Sequence, residues 1–332
     1  MKAIIPALIL TLLFAPSSFT QEKKAATPKG TAEHLQNVSV TIRSEGTFSN
    51  GEGSGVIFTR KDSKGNSVNF VWTAAHVIDN LRKEREVLIS GAKKTIVEFK
   101  DPMVVKEIRQ NGRTVGRLQM DAEVLKYSDA DDGHDLALLR IRKHNFVTDT
   151  VTFYLDEKIP GLGTDLLHVG SLLGQMGANS MTDGIYSQHG RLIKSLNKFV
   201  FDQTTCTAFP GSSGGGVYLK GDARYVGMLV RGAGEGFNLI VPVRRMADYC
   251  EKHKIMWALD PKIPMPSEED LKKTPVEHEP KEKSDTKESA DAEGAEDLKK
   301  FPFMIRIYPK HTDGRPEFLK NKPTPKTMEF HR

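Results

Sequence analysis

The stretch Phe209-Pro210-Gly211-Ser212-Ser213-Gly214-Gly215-Gly216 sets a serine between closely spaced glycines. A hydroxyl nucleophile needs such a turn, because the turn must expose its oxygen and direct backbone N–H groups to the same point. The pattern therefore indicates Ser213 as a nucleophile. It also indicates the N–H groups of Gly211 and Ser213 as the donors of an oxyanion hole, since only donors already in place stabilise a developing negative charge on oxygen.

Two upstream stretches supply the partners that a serine nucleophile requires, a base and a carboxylate that orients it. Thr73-Ala74-Ala75-His76-Val77 contains the base, and His134-Asp135-Leu136-Ala137-Leu138-Leu139 contains the carboxylate, so the chain order is His, Asp, Ser. The serine turn also fits the Gly-x-Ser-x-Gly pattern of α/β-hydrolases, whose order is Ser, Asp, His. After Ser213, however, Asp248 and His253 lie on a short amphipathic segment that leaves too little chain for such a fold.

The carboxylate is expected to be Asp135, because this residue directly precedes an apolar strand that would hold it at a barrel edge beside His76. Asp131 and Asp132, in the same acidic turn, are the alternatives. The role of the carboxylate would be to fix the imidazole tautomer and to stabilise the imidazolium without taking the proton.

Five stretches in this order resemble the chymotrypsin-like (trypsin-like) serine peptidases. Three of them carry the His, Asp and Ser motifs: Val71-Trp72-Thr73-Ala74-Ala75-His76, Asp135-Leu136-Ala137-Leu138-Leu139 and Gly211-Ser212-Ser213-Gly214-Gly215. The other two are more similar to bacterial HtrA-type members than to animal digestive enzymes: Gly53-Ser54-Gly55-Val56-Ile57 and Phe237-Asn238-Leu239-Ile240-Val241-Pro242. The similarity covers roughly residues 35 to 258.

This resemblance implies an all-β fold of two six-stranded antiparallel β-barrels with a C-terminal helix, and an active site in the cleft between the barrels. It implies a serine endopeptidase that hydrolyses peptide bonds of protein or peptide substrates through an acyl-enzyme, with His76, Asp135 and Ser213 as the catalytic triad. The alternative is a silent binding protein of the same fold. Such proteins usually lose a triad member, and all three are present here.

By the same resemblance, six residues are expected to line the pocket for the substrate side chain: Thr207, Phe209, Pro210, Val230, Arg231 and Gly232. Thr207 falls at the pocket base, where trypsin has an aspartate, so a strict preference for cleavage after Lys or Arg is not expected. Ser212 replaces the aspartate that pairs with a newly cut N-terminus in the animal enzymes, and zymogen activation by that route is not expected either. The chain after Asp260 is too short and too polar for the PDZ domain of HtrA proteins.

Alternating apolar and polar residues predict the strands of both barrels. In the first barrel the predicted strands are residues 38–42, 54–59, 68–73, 95–99, 115–127 and 136–141. In the second they are residues 161–173, 184–194, 199–205, 214–219, 225–231 and 237–243, followed by a closing helix over 243–256. Residues 143–160 are expected to cross between the barrels.

Composition limits the partners that the chain can have. A chain of 332 residues with 38% hydrophobic content can bury a sizeable core. The net charge is +5, with Lys and Arg interspersed among Asp and Glu, which gives no indication of a nucleic-acid partner. Cys206 and Cys250 either form a disulfide or are two small buried side chains. No Cys or His cluster has metal-ligand spacing, and no cofactor is expected.

The two ends of the chain differ from its middle. Residues 1–20 have the charged start and short apolar run of a signal peptide, which predicts a secreted or periplasmic protein without a stable membrane anchor after cleavage. A flexible leader is expected over 21–34, the protease domain over 35–260, and a low-complexity charged linker and basic tail over 261–332, which from residue 264 is expected to be largely disordered. Within this tail, Phe301-Pro302-Phe303-Met304-Ile305-Arg306-Ile307-Tyr308-Pro309 is apolar and is either a docking strand or a sticky end.

Overall fold

The alternating stretches form two rings of antiparallel strands in the computed structural model, which describes residues 30–89, 92–193, 199–232, 236–277 and 305–307. The strands are β1 (Ser39–Glu45), β2 (Asn50–Lys61), β3 (Ser67–Thr73), β4 (Arg82–Ile89), β5 (Ala92–Phe99), β6 (Met103–Gln110), β7 (Arg113–Ser128), β8 (Leu136–Ile141), β9 (Asp165–Gly170), β10 (Ser180–Leu192), β11 (Val200–Thr204), β12 (Gly216–Leu219), β13 (Tyr225–Gly232), β14 (Asn238–Pro242) and β15 (Ile305–Ile307). The α-helices are α1 (Thr31–Asn37), α2 (Val243–Lys252) and α3 (Glu268–Lys273).

Six strands form the first ring, in the order β1-β6-β7-β8-β3-β2, and a second pairing of β1 with β2 closes it. The other six form a closed barrel in the order β10-β11-β14-β13-β12-β9. The expected all-β fold of two six-stranded antiparallel barrels is confirmed. Strand β15 is a seventh strand attached to the first ring. It pairs with residues 50–52 of β2, which β3 does not cover.

Main-chain hydrogen bonds and apolar packing hold the two rings together. Residues 142–164 connect them: the Val151 N–H donates to Ile57 O of the first ring (3.2 Å) and the Tyr154 N–H to Tyr225 O of the second (2.9 Å). After α2 the chain returns to the first ring, where the Trp257 ring packs edge-on to Phe70 with centroids 4.9 Å apart. The core is therefore continuous across both rings.

Several elements of the structure differ from those that the sequence pattern predicts. Strands β4 and β5 form a separate two-stranded hairpin. The side chains of residues 83–86 in β4 are exposed, so this strand lacks the buried face that produces alternation. The closing helix ends at Lys252 rather than at residue 256. Helix α1 includes residues 31–34, which the sequence assigns to the flexible leader, and Leu35 of this helix is buried.

Residues 261–277, assigned above to the linker, pack against the first ring. Ser267 caps α3 by accepting the Asp270 N–H (3.2 Å), and Leu271 is buried. The Val276 carbonyl accepts the Tyr127 N–H (3.0 Å), and Glu277 accepts two hydrogen bonds from Arg82 (2.6 and 2.8 Å). The expected disorder from residue 264 is therefore wrong up to residue 277. The signal peptide and most of the tail lie outside the described residues.

Both cysteines are buried and free, so the expected alternative of a disulfide is not found. Burial raises the pKa of Cys206 to about 11, which keeps its thiol protonated and unreactive. Among the described residues no helix is long and apolar enough to cross a membrane, and no group of His, Cys, Asp and Glu has a metal-binding arrangement.

Two buried histidines have strongly lowered pKa values. Burial lowers the pKa of His168, on β9, to about 4, although its Nδ1 is 3.0 Å from the Gly216 carbonyl. Burial lowers the pKa of His134, just before β8, to about 3, with a further contribution from the charge of Arg245. Both imidazoles are therefore neutral in the native protein at neutral pH.

The free energy of unfolding should consequently fall as the pH is lowered. Below about pH 6.5 the unfolded chain protonates both histidines while the native protein does not, until about pH 4 for His168. Each histidine should then remove up to about 1.4 kcal/mol per pH unit. Urea unfolding between pH 7.5 and about 4.5 measures this slope. The His168→Asn variant should show a shallower slope, and an unchanged slope would contradict the assignment of His168.

Candidate active site

The ends of two neighbouring strands bring His76 and Asp135 together. Thr73, the last residue of β3, pairs with Ala137 near the start of β8. The short 3-10 helix Ala75–Val77 that follows β3 therefore lies beside the residue that precedes β8. His76 Nδ1 lies 2.9 and 3.0 Å from the two carboxylate oxygens of Asp135, and the His76 N–H donates to the same carboxylate (3.2 Å).

A rigid turn supports the Asp135 carboxylate. Asp135 has a left-handed φ of 54°, which is uncommon for a residue other than glycine, and its N–H donates to Asp129 O (3.1 Å). The Asp129 side chain accepts the N–H groups of Asp131 and Asp132 (2.8 and 2.9 Å), which fixes the turn. Of the three candidate carboxylates, only Asp135 is buried and contacts His76; Asp131 and Asp132 are exposed.

Charge and hydrogen bonding keep Asp135 ionised. Burial alone would raise its pKa, but the charge and hydrogen bonds of His76 and the nearby charge of Arg231 outweigh burial and hold the pKa of Asp135 well below its usual value. An ionised carboxylate only accepts hydrogen bonds, so the proton between the two groups is on His76 Nδ1. The lone pair of His76 Nε2 therefore points away from Asp135.

His76 Nε2 faces the hydroxyl of Ser213, with 2.7 Å between Nε2 and Oγ. The three residues are buried: Ser213 is 0%, Asp135 1% and His76 4% exposed. The Ser213 hydroxyl also lies 3.2 Å from the carbonyl of Val230. The structure therefore brings together the three residues that the sequence predicts, in a continuous chain from carboxylate to imidazole to hydroxyl.

The turn before Ser213 requires glycine at position 211. Gly211 has a φ of 98°, and a Cβ at this position would lie 2.2 Å from Ser171 O and 2.5 Å from the Gly174 nitrogen. Both contacts are to backbone atoms, which cannot move aside as the end of a side chain can. No other residue fits this turn as it stands.

The same turn leaves two N–H groups without an acceptor among the described residues. In a trans peptide the N–H points opposite to the C=O of the same unit. The Pro210 carbonyl accepts the Leu173 N–H (2.7 Å) and the Ser212 carbonyl accepts the Gly215 N–H (2.9 Å). The Gly211 and Ser213 N–H groups are therefore directed away from these partners, and neither has an acceptor among the described residues.

Ser54, on β2, holds this turn in place, and sequence reasoning missed its role. Its hydroxyl donates to Gly211 O (2.7 Å) and accepts the Ser171 N–H (2.7 Å). Its own N–H donates to Ser213 O (2.7 Å), and its carbonyl accepts the Thr73 hydroxyl (2.7 Å). The motif Gly53-Ser54-Gly55 was visible in the sequence, but nothing local indicated which atoms 157 residues away it binds.

Arg231 is the second residue whose role depends on a distant contact. The sequence places it in the wall of the substrate pocket. Its guanidinium is buried, 4.0 Å from Asp135 Oδ2 and 3.9 Å from Asp131 Oδ1. A cation therefore lies beside the carboxylate that orients His76.

The other predicted pocket residues lie around the serine turn. Phe209 is 47% exposed, and its N–H donates to the Ser212 hydroxyl (3.2 Å). Thr207 is exposed, and its carbonyl accepts the Thr182 hydroxyl (2.7 Å). Val230 and Gly232 belong to β13, whereas residues 233–235 of the same expected wall lie outside the described residues.

The comparisons with known proteins identify the family of this chain. The profile of the trypsin-like peptidase domain matches residues 53–228, which is just over half of the chain. The chain belongs to the trypsin-like peptidase family. Membership confirms the resemblance inferred from the sequence, and the matched region contains His76, Asp135 and Ser213.

This trypsin-like chain is also similar to individual proteins. The "Serine protease Do-like HtrA" of Lactobacillus helveticus is 31% identical over 166 residues, which cover 49% of this chain and 32% of that protein. Among solved structures, an HtrA-type protease with a tripeptide is 18% identical with a TM-score of 0.49, covering 69% of this chain and 64% of that one. The serine endoprotease from Yersinia pestis is 19% identical with a TM-score of 0.47, covering 69% and 66%. The chain thus spans about a third of the curated relative.

Removing the Ser54 hydroxyl should destabilise the protein. In Ser54→Ala the buried Ser171 N–H and Gly211 carbonyl each lose a partner, and the free energy of unfolding should fall by about 1–3 kcal/mol. Urea unfolding measures the difference. The matched control is Ser44→Ala, because Ser44 is also buried but donates a single longer hydrogen bond (3.4 Å, to Gly51 O). Equal losses in the two variants would contradict the supporting role of Ser54.

Proposed function

We propose that this protein cleaves peptide bonds with His76, Asp135 and Ser213 as a catalytic triad. The observation that carries the proposal is the unbroken contact chain, 2.9 Å from Asp135 to His76 Nδ1 and 2.7 Å from His76 Nε2 to Ser213 Oγ. These are the distances that a nucleophile, its base and an orienting carboxylate need. A silent binding protein of the same fold has no need to keep this geometry.

In the proposed reaction His76 Nε2 takes the Ser213 proton as Oγ attacks the carbonyl carbon of the scissile bond. Asp135 stays ionised and stabilises the imidazolium. When the tetrahedral intermediate collapses, His76 gives the proton to the leaving amine and the acyl group stays on Ser213 as an ester. A water molecule then attacks the ester with His76 as base, and the Ser213 hydroxyl is restored.

The oxyanion of both steps would be bound by the Gly211 and Ser213 N–H groups. Both are free of other acceptors among the described residues, and both are directed by carbonyls that are hydrogen-bonded elsewhere. Such fixed donors stabilise the transition state because they need no reorganisation, and losing one typically costs roughly 3 kcal/mol.

Substrates would be proteins or peptides bound in an extended form. The walls of the side-chain pocket would be Thr207, Phe209 and Pro210 on one side and Val230 and Gly232 on the other. Arg231, assigned by the sequence to the same wall, would instead act on Asp135, because its guanidinium lies against that carboxylate. With threonine at the pocket base, a medium-sized apolar residue before the scissile bond is favoured over Lys or Arg.

The site of action would be outside the cytoplasm. The first 20 residues have the composition of a signal peptide, and HtrA relatives are commonly periplasmic or secreted. Residues 35–260 would form the protease domain.

Labelling with a fluorophosphonate probe tests the nucleophile directly, since this probe reacts only with an activated serine. The wild-type protein should be labelled, and Ser213→Ala should abolish the labelling. Ser212→Ala is the matched control because it removes the neighbouring hydroxyl and should leave labelling in place. Labelling that persists in Ser213→Ala, or that is absent from a folded wild type, would contradict the proposed triad.

The pH dependence of cleavage tests the base and the effect of Arg231. The value of kcat/KM should fall at acidic pH, because a protonated imidazole cannot take the Ser213 proton. A cation beside Asp135 opposes the gain of a further positive charge in the triad, so Arg231→Met should move the midpoint of this fall to higher pH.

Two controls separate charge from structure in this experiment. Arg231→Lys keeps the charge and should restore the wild-type midpoint. Arg224→Met also removes one cation, but from the partners Asp156 and Asp222 on another loop, and should leave the midpoint unchanged. Equal shifts in Arg231→Met and Arg224→Met, or no shift in either, would show that Arg231 does not act on the triad.

A further inference from the structure

The C-terminal segment forms a strand on the first ring. Strand β15 pairs antiparallel with residues 50–52 of β2, with Ile305 opposite Glu52, Arg306 opposite Gly51 and Ile307 opposite Asn50. Of the two alternatives left open for the apolar stretch around residue 305, the docking strand is found at residues 305–307. One edge of β2 pairs with β1 along residues 50–56, and the other edge pairs with β3 only from Val56 onward. On that second edge, residues 50–52 are not paired with β3, and β15 pairs with them instead.

This edge of β2 is the one that holds the catalytic serine. The N–H and C=O groups of successive residues in a strand point to alternate edges, so residues two apart point to the same edge. The Ser54 N–H donates from this edge to Ser213 O (2.7 Å). The main-chain N–H and C=O of Glu52, two residues earlier, therefore face the same edge, where Ile305 pairs with them. Two residues of a strand span roughly 7 Å. Along this edge, the position of Ile305 is thus roughly 7 Å from the point where Ser54 binds the main chain of Ser213.

The edge also lies on the side of the site where the leaving group must be. His76 has to protonate the leaving amine, so the chain that follows the scissile bond departs past the histidine. A Cβ on Gly53 would lie 2.6 Å from Val77 Cγ2, which shows that β2 passes directly beside the residue after His76. The expected pocket for the preceding residue is built from other elements, the serine turn and β13.

We propose that β15 occupies the place of an extended substrate on the leaving-group side, so that the C-terminal segment competes with polypeptide substrates. The proposal rests on the peptidase function proposed above. Both occupants would pair with the same unpaired edge through main-chain hydrogen bonds, a mode of recognition that needs little side-chain specificity. The interaction surface is residues 50–54 of β2, and its occupant in the resting protein is residues 305–307 of the same chain.

The chain is long enough for this docking within one molecule. Glu277 is fixed on the first ring by Arg82. Residues 278–304 separate it from β15, and an extended chain of this length spans up to roughly 90 Å. A tethered strand has a high effective concentration, which allows a three-residue pairing to compete with free substrate.

Proline substitutions in the full-length protein test the pairing. By the same alternation, the N–H groups of Ile305 and Ile307 face β2 and the N–H of Arg306 faces away. The double variant Ile305→Pro/Ile307→Pro therefore removes the donors of the pairing. Arg306→Pro is the matched control, because proline is tolerated where the strand N–H faces outward.

Two substrates with the same residues before the scissile bond distinguish the leaving-group side. One carries an extended peptide of about four residues after the bond, and the other a p-nitroanilide. The double variant should raise kcat/KM for the extended peptide about 3- to 10-fold and leave the anilide unchanged, as expected for removing a competitor held by a few main-chain hydrogen bonds. Arg306→Pro should match the wild type on both substrates.

Three results would overturn the proposal. Equal kcat/KM values for the double variant and the wild type on the extended peptide would show that β15 does not compete. A similar rise on both substrates would show that the segment acts on the catalytic groups rather than on the leaving-group side. Absence of fluorophosphonate labelling in every variant would reject the peptidase function itself and with it any competition, whereas labelling without a change in cleavage rejects only the competition.

Discussion

The position of the nucleophile depends on one buried residue, Ser54, which makes four hydrogen bonds with three groups. Its N–H and carbonyl bind Ser213 and Thr73, and its hydroxyl binds Ser171 and Gly211. These four partners lie on β3, on the loop after β9 and on both sides of the serine turn. A single residue, through its main chain and its hydroxyl, thus fixes the two rings to each other at the point where their residues must meet. Because Ser54 has no exposed surface, each of these groups would be costly to leave without a partner.

Uncommon backbone conformations and buried charge are concentrated around the same point. Asp135 and Gly211 both have a positive φ, and each is held by a hydrogen bond from an element distant in sequence, Asp135 by His76 and Gly211 by Ser54. The buried Arg231 lies beside Asp135 at 4.0 Å and offsets the cost of keeping a carboxylate ionised away from water. The site is therefore organised before any substrate binds, which is the condition under which fixed dipoles and charges accelerate acyl transfer.

The sequence predicted the parts of this structure that have local signals. His76 follows one predicted strand and Asp135 precedes another, and both strands are rich in apolar residues, so these two strands and their ends could be placed. Helix α3 also had a signal that was not used, because Ser267 is followed by three acidic residues in the pattern of a capped helix start. The contacts of Ser54 and Arg231 could not be predicted. Apart from the contact between Ser54 and Thr73, they join residues about 100 or more positions apart, and a serine or arginine in a strand has no pattern that reveals its distant partner.

An enzyme that binds extended chains must keep a strand edge unpaired, and an unpaired edge also invites association with other chains. In this protein residues 50–55 of β2 precede its pairing with β3, and Ser54 uses this stretch of the edge to bind the serine turn, so the edge at residues 50–52 is left without β3. Covering the edge permanently would exclude substrate, whereas leaving it bare would expose main-chain donors and acceptors. A pairing of only three residues satisfies both requirements, since it covers the main-chain groups of residues 50–52 and a longer extended substrate can form more hydrogen bonds with the same edge.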